Sequence, residues 1–125
     1  MNTPVKYELA KLLKEKGFDE PTLLCYDKCD MLASYAETVF KPKNYNTSGY
    51  VKSAPTIAEV VMWLYEEHKL WIYIIYEKGL FHNNIEDTTH TALFEEDCRV
   101  FNMCNYKTPI EAYEAAIKYC LENII

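Results

Sequence analysis

Residues 70–76 read Leu-Trp-Ile-Tyr-Ile-Ile-Tyr, an apolar run whose aromatic and β-branched side chains favour a β-strand. Because side chains alternate between the two faces of a strand, both faces of this strand are apolar. Such a strand needs cover on both sides, so we expect it at the centre of a sheet or at a contact between subunits. The run is far shorter than the roughly 20 residues that cross a bilayer, and no membrane segment is predicted.

Three segments of the chain carry helix start signals. Thr3 offers a hydroxyl at an N-cap, Pro4 fits the first helical position, and Gly17 provides a stop. Thr56 and Thr108 are each followed three residues later by a glutamate, which is the spacing of a capping box. Apolar residues then repeat at helical spacing in each segment. We therefore predict three helices.

Shorter strand-like runs lie between these helices. Residues 22–26 and 31–35 flank an Asp-Lys-Cys-Asp turn and predict a hairpin, whereas 91–94 and 99–103 are weaker strand candidates. Residues 79–90 are expected to form a loop or wide turn between two antiparallel strands. The pattern predicts an α+β fold, a two-layer sandwich of a small antiparallel sheet and about three helices. At 125 residues we expect a single domain over 1–125.

Composition and charge exclude several classes of protein. Half of the residues are hydrophobic and 26% are charged, which excludes a disordered chain. The net charge of −6 makes a nucleic-acid partner unexpected, because such binders carry a basic face. The five cysteines are an odd number, and no apolar export signal opens the sequence. We therefore expect reduced thiols, a cytoplasmic location and no cofactor.

The long connection over residues 41–55 is the first candidate site. It contains turn formers throughout and no periodicity, and connections of this length tend to be functional or disordered. It carries three lysines and no acid, together with two of the eleven tyrosines of the chain. The candidate ligand-binding or partner-binding residues are Lys41, Lys43, Tyr45, Tyr50 and Lys52.

Two kinds of ligand suit this tyrosine and lysine pattern. Residues 77–97 hold six acids against one lysine, so the charge is polarised along the chain and could orient a protein partner or a second copy. The first hypothesis is thus a non-enzymatic interaction protein, with self-association possible. Alternatively, a planar ligand could stack on a loop tyrosine while a lysine holds its phosphate, which is the chemistry of a nucleotide-binding or nucleotide-sequestering protein.

A zinc site or a thiol enzyme is the third hypothesis. Cys25 and Cys29 have a spacing that could supply half of a zinc site, with His82 or His90 among the other ligands. All four are weak metal candidates, because a polar loop more often leaves such side chains solvated and a free cysteine is often a small core residue. No catalytic motif is present, and no catalytic residue is assigned.

Several short motifs suggest a family resemblance. They are Tyr-Glu-Leu-Ala-Lys-Leu-Leu-Lys-Glu-Lys-Gly-Phe (7–18), Cys-Tyr-Asp-Lys (25–28), Ala-Pro-Thr (54–56), Trp-Leu (63–64) with His68, and Tyr106 with Glu-Ala (111–112) and Ala-Ala-Ile (115–117). This pattern resembles a family of small uncharacterised proteins of gut-bacterial phages and mobile elements. The resemblance implies an accessory protein and supplies no catalytic residues.

Overall fold

The computed structural model describes residues 1–34, 42–47, 49–89 and 99–125, with 99–103 as backbone alone. Within these residues there are three α-helices, α1 Tyr7–Glu15, α2 Ile57–His68 and α3 Pro109–Tyr119. The strands are β1 Cys25–Tyr26, β2 Leu32–Ala33, β3 Lys52–Ser53, β4 Leu70–Glu77, β5 Leu80–Asp87 and β6 Arg99–Tyr106. They form two antiparallel three-stranded sheets. The predicted α+β class is confirmed.

The chain divides into two compact units, Met1–Glu59 and Val60–Ile125, here called the first and second units. Each unit contains one of the two sheets. The first holds β1, β2 and β3 with α1, and the second holds β4, β5 and β6 with α3. Helix α2 begins at the end of the first unit and continues into the second.

The sheet of the first unit has the order β2-β1-β3, so β1 is central. Cys25 pairs with Ala33 on one side and with Ser53 on the other. The Asp27 carboxylate closes the β1–β2 hairpin, because its Oδ1 accepts the backbone N–H of Met31 at 3.0 Å. The hairpin predicted over 22–26 and 31–35 is confirmed within the described residues, with two residues in each strand; residue 35 itself lies outside them.

The start of α1 differs from the prediction, whereas its end agrees. The carbonyl of Thr3 accepts the N–H of Ile57 at 3.0 Å, and Pro4 forms an antiparallel bridge with Thr56. These backbone bonds hold the segment extended, so the predicted N-cap at Thr3 is wrong and α1 begins only after it. Gly17 has a φ of +87°, the left-handed conformation that ends many helices, and the predicted stop is confirmed.

The predicted starts of the other two helices are confirmed. Thr56 Oγ1 accepts the N–H of Glu59 at 3.2 Å, while Glu59 Oε1 accepts the N–H of Thr56 at 3.1 Å, which completes a capping box. Thr108 Oγ1 likewise accepts the N–H of Glu111 at 3.2 Å at the start of α3. Each cap satisfies backbone donors that a helix start otherwise leaves unpaired.

The sheet of the second unit has the order β4-β5-β6, which corrects two predictions. The loop predicted over residues 79–90 is wrong for the described residues 79–89, because β5 occupies most of this range and is the central strand. Residue 90 lies outside the described residues. Lys78 and Gly79 have φ values of 53° and 82°, and this two-residue turn joins β4 directly to β5. The asparagines and acids of β5 have low strand propensity, and pairing on both sides compensates for it.

Among the described residues β4 is an edge strand of this sheet, so the predicted central position is wrong, whereas the alternative of a contact between subunits stays a prediction. Its Ile72 is buried against the core, whereas Trp71, Ile75 and Tyr76 are exposed. The predicted strand over 99–103 is confirmed as part of β6, and the candidate over 91–94 lies outside the described residues.

Helix α3 packs on the sheet of the second unit and contacts all three of its strands. The buried side chains of this unit include Leu70 and Ile72 of β4, Ile85 of β5, and Ala112, Ala116, Ile117, Cys120 and Leu121 from α3 and the π-helical turn after it. The second unit therefore has two layers, a helix and a sheet. This agrees with the apolar residues at helical spacing in the last segment of the sequence, which predict a helix with one buried face.

Candidate ligand-binding surface of the first unit

The structure places the predicted loop residues in different environments. Lys43 is exposed and its backbone pairs with Thr22. Tyr50 is exposed at 77%, the highest value among the large hydrophobic residues that the structure describes. Tyr45 is buried at 4% exposure and belongs to the interior of the unit, so its ring is not open to a stacking ligand. Lys52 is half-buried in β3. Lys41 lies outside the described residues.

The pleat of the small sheet separates Lys43 and Tyr45 from Lys52. Cys25 and Ser53 are a pair on one face, and the backbone N–H of Tyr45 donates to Ser53 Oγ at 3.0 Å on that side. The Lys43 ammonium lies 5.7 Å from the centroid of the Tyr45 ring. Lys52 is one residue away from Ser53 and therefore points to the opposite face. The loop residues thus do not form one cluster.

Lys52 instead joins two tyrosines on its own face. It pairs across the sheet with Tyr26, and its ammonium lies 5.2 Å from the centroid of the Tyr7 ring, a cation–π distance. The Tyr7 and Tyr26 rings meet edge to face at 5.6 Å. The Tyr26 hydroxyl donates to the carbonyl of Val5 at 2.7 Å, which fixes the ring. All three side chains are half-buried.

A second lysine lies next to Lys52. The Lys14 ammonium donates to the carbonyl of Val51 at 2.8 Å, directly before Lys52 in the chain. Burial, and then the charge of Lys52, lower the pKa of Lys14. The Lys14 ammonium is therefore near enough to Lys52 to feel its charge, and the Lys52 ammonium in turn lies over the Tyr7 ring. We call Tyr7, Lys14, Tyr26 and Lys52 the tyrosine–lysine cluster.

An apolar cavity of about 380 Å³ lies in the same unit. Its lining consists of Asn2, Leu23, Leu24, Ala54, Thr56 and Glu59. The N–H of Ala54 donates to the carbonyl of Leu24 at 2.9 Å, which continues the ladder one residue beyond β1 and β3. Leu24 and Ala54 are each two residues from Tyr26 and Lys52, so they share a face of the ladder with the cluster. Two residues in the cavity wall are thus two positions along the ladder from two residues of the cluster.

The structure describes three of the four metal-ligand candidates. Cys25 is buried in β1, Cys29 is exposed in the hairpin turn, His82 is half-buried in β5, and His90 lies outside the described residues. Among the residues that the structure describes, no group of three or more histidine, cysteine or acidic side chains could hold a metal ion.

The two buried thiols do not have the environment of an activated nucleophile. Burial, and then the charge of Asp27, raise the pKa of Cys25, although the charge of Lys43 opposes this. Burial raises the pKa of Cys120 to about 12. A thiol enzyme needs a lowered pKa, because the thiolate is the nucleophile. Neither buried cysteine has this property.

Sequence reasoning identified Lys52 and missed the residues around it. Tyr7, Tyr26 and Lys14 come from α1 and β1, and only the backbone pairing of distant segments brings them to β3. Leu24 and Ala54 carry no chemical signal that distinguishes them from core residues. The Cys-Tyr-Asp-Lys and Ala-Pro-Thr motifs contain two of these residues, but no pattern in the sequence pairs one motif with the other.

Comparison of the chain with protein-family models, with curated proteins and with solved structures gives no match. The family resemblance inferred from the sequence motifs therefore stays a prediction. In the described part of the chain, every helix is too short or too polar to cross a membrane.

Proposed function

We propose that the protein is a non-enzymatic interaction protein whose first unit binds a polypeptide segment carrying an apolar side chain close to a carboxylate. The observation that carries this proposal is the position of Lys52, which lies over Tyr7 and is two residues along the chain from Ala54 in the wall of the apolar cavity. In keeping with the sequence resemblance and the odd number of cysteines, we propose an accessory role in the cytoplasm of a phage or mobile-element host.

The cavity supports the apolar part of this recognition. Its volume of about 380 Å³ is small among ligand sites, which span about 300–1,000 Å³, and suits one side chain better than a large cofactor. Leu23, Leu24 and Ala54 supply apolar wall, and Leu23 is 48% exposed. A bound apolar side chain would cover Leu23 and remove its apolar surface from water.

The tyrosine–lysine cluster supports the acidic part of the recognition. The charge of Lys52 contributes to the lowered pKa of Lys14, and an anion bound next to both ammonium groups would offset this repulsion. A carboxylate there would make charge-assisted hydrogen bonds, and the rings of Tyr7 and Tyr26 would give it a rigid apolar border. Such sites favour partners with local negative charge, although the whole chain has a net charge of −6.

The spacing of the two parts predicts a sequence rule for the bound segment. The Leu24–Ala54 pair and the Tyr26–Lys52 pair are two residues apart along the ladder. In an extended peptide, side chains at positions i and i+2 point the same way and lie about 7 Å apart. We therefore expect the apolar residue and the acid to be separated by one residue.

Synthetic peptides test this rule. Fluorescein-labelled octapeptides would contain Leu-x-Glu, Leu alone, Glu alone, or Leu and Glu four residues apart, and fluorescence polarisation would give their dissociation constants. The proposal expects Leu-x-Glu to bind about tenfold more tightly than each of the others, which is about 1.4 kcal/mol. Equal binding of all four peptides, or binding set by glutamate alone, would contradict it.

The nucleotide-binding alternative stays a prediction that the same surface makes testable. A phosphate could lie on Lys14 and Lys52 in the place proposed for the carboxylate, because both anions make charge-assisted hydrogen bonds to ammonium groups. Thermal shifts with a panel of linear and cyclic nucleotides would distinguish the two ligands, because a ligand that binds the native state raises the melting temperature. A dose-dependent rise that Lys52→Glu abolishes would favour the nucleotide.

A further inference from the structure

Within the described part of the chain, the outer edge of β4 has no partner strand. β4 is the first strand in the order β4-β5-β6, and in the described residues no strand pairs with its other side. Its exposed side chains are large and apolar, with Trp71 at 38%, Ile75 at 44% and Tyr76 at 64%. An exposed apolar edge of this kind readily pairs with another strand.

Strand β4 lacks the features that normally block such pairing. It is eight residues long, contains no proline, and has Glu77 at its end as its single charged residue. Its register with β5 is continuous from Leu70 to Glu77, so no bulge twists the edge away. Natural edge strands are usually short, bulged, or protected by lysine or proline.

The hydrogen-bonding groups on this edge can be assigned from the ladder. Thr88 donates its N–H to the carbonyl of Lys69 at 2.8 Å, so the carbonyl of Lys69 points towards β5. Backbone groups alternate in direction along an antiparallel strand. Four residues of β4 therefore present their N–H and C=O groups to the open edge: Leu70, Ile72, Ile74 and Tyr76.

We propose that a second copy of this chain occupies the edge, with the two β4 strands antiparallel and Tyr73 opposite Tyr73 of the second copy. In this register Leu70 pairs with Tyr76 and Ile72 pairs with Ile74 across the two-fold axis. All four edge residues of each copy then find partners, which gives eight backbone hydrogen bonds by the alternation rule. If the register were shifted by two residues in either direction, one of the four edge residues of each copy would have no partner in the other β4 strand.

Charge and shape both favour the second copy as the occupant. The register centred on Tyr73 brings Glu77 of each copy to the end of the strand that Lys69 of the other copy precedes. The single acid of the strand thus comes near a base at both ends, and the ammonium of that base donates to the carbonyl of Glu66 at 2.8 Å. The same register places the exposed Trp71 of each copy opposite the exposed Ile75 of the other, on the face of the strand that bears Tyr73. Cross-strand pairs of opposite charge, and of aromatic with β-branched residues, are favourable. This proposal concerns the second unit and does not depend on peptide binding by the first.

The oligomeric state tests the proposal with matched substitutions. Sedimentation velocity from 1 to 100 µM should give the wild type twice the 14.7 kDa chain mass. Ile75→Lys should weaken the dimer by about tenfold or more, because the ammonium would replace an apolar cross-strand partner twice per dimer. Met62→Lys is the control, since Met62 is also 44% exposed but lies on α2. A monomeric wild type at 100 µM, or equal effects of the two lysines, would overturn the proposal.

Cross-linking tests the register itself and does not depend on how well Ile75→Lys folds. In a background with Cys29, Cys98 and Cys104 replaced by serine, Tyr73→Cys places two thiols opposite each other in a non-hydrogen-bonded pair, about 4.5 Å apart at Cα. That spacing permits a disulfide. Ile75→Cys is the control, because residue 75 faces residue 71 of the other copy. Mild oxidation should link the Tyr73→Cys variant alone, and equal linkage of both variants, or linkage of neither, would overturn the register.

Discussion

The side-chain amide of Asn83 donates a 3.0 Å hydrogen bond from Nδ2 to the backbone carbonyl of Ala112, and so joins the central strand β5 to α3. Asn83 is fully buried, and its side chain also hydrogen-bonds Tyr106. Burying a side-chain amide costs free energy when the amide has no hydrogen-bond partner, whereas partners offset this cost and favour one arrangement of the surrounding core. This bond helps to explain how a strand with two adjacent asparagines occupies the centre of the sheet.

Asn83→Ala is predicted to lower the free energy of unfolding by about 2–3 kcal/mol, because it removes buried hydrogen bonds and leaves a cavity. The neighbouring Asn84 is a matched control. It is also buried, but its Oδ1 accepts no hydrogen bond from the described residues. Asn84→Ala should cost about 1–2 kcal/mol less than Asn83→Ala. Urea denaturation of the two variants measures this difference, and equal losses would show that the Asn83 bonds contribute nothing.

Gly17→Ala is predicted to destabilise the protein by about 1 kcal/mol through backbone strain alone. Gly17 has a φ of +87°, and an added Cβ would meet no atom within 4 Å. Gly49 is similarly uncrowded, but its φ lies outside the left-handed region. Gly49→Ala should therefore change the unfolding free energy by less than about 0.5 kcal/mol. Chemical denaturation of both variants tests the assignment, which fails if Gly49→Ala is the more costly change.

The pH dependence of stability should report the buried thiol of Cys120. Burial raises its pKa from 9.0 to about 12, so between these values the folded state keeps a proton that the unfolded state loses. Stability from this group is fully present below pH 9 and is lost as the pH rises, at about 1.4 kcal/mol per pH unit. The difference in unfolding free energy between the wild type and Cys120→Ala should shrink by about 2 kcal/mol from pH 8 to 10.5.

Cys29→Ala is the control for this pH series, because Cys29 is exposed in the folded state. Its difference from the wild type should stay constant over the same pH range. A constant difference for Cys120→Ala as well would mean that the thiol ionises equally in both states.

Local sequence signals predicted the helices well because they act within a few residues. The caps at Thr56 and Thr108 and the stop at Gly17 depend on neighbouring atoms alone. The signal at Thr3 was equally good locally, but backbone bonds to residues 55–57 hold that segment extended. A rule for helix caps considers only neighbouring residues, so it does not take account of a competing pairing with a distant segment. The misplaced start of α1 has this physical cause.

The sheet was harder to predict because strand order is a long-range property. The apolar residues of β4 indicated a strand, but not whether it lies at the centre or at the edge. In the central strand β5, the buried side chain of Asn83 finds hydrogen-bond partners within the fold, and these offset the free-energy cost of burying a polar group. The candidate site follows the same rule: Lys52 was found from its loop, whereas Tyr7 and Tyr26 reach it only through tertiary structure.

The central claim is that Lys52 recognises a carboxylate beside an apolar side chain, and a charge reversal tests it most directly. Lys52→Glu and the control Lys28→Glu change the net charge equally, but Lys28 is exposed in the hairpin turn, away from the ladder positions that form the cluster. Fluorescence polarisation with the Leu-x-Glu peptide would give a dissociation constant for each variant. The account predicts that Lys52→Glu weakens binding about tenfold or more, while Lys28→Glu stays within about twofold of the wild type. Equal dissociation constants for the two variants would contradict it.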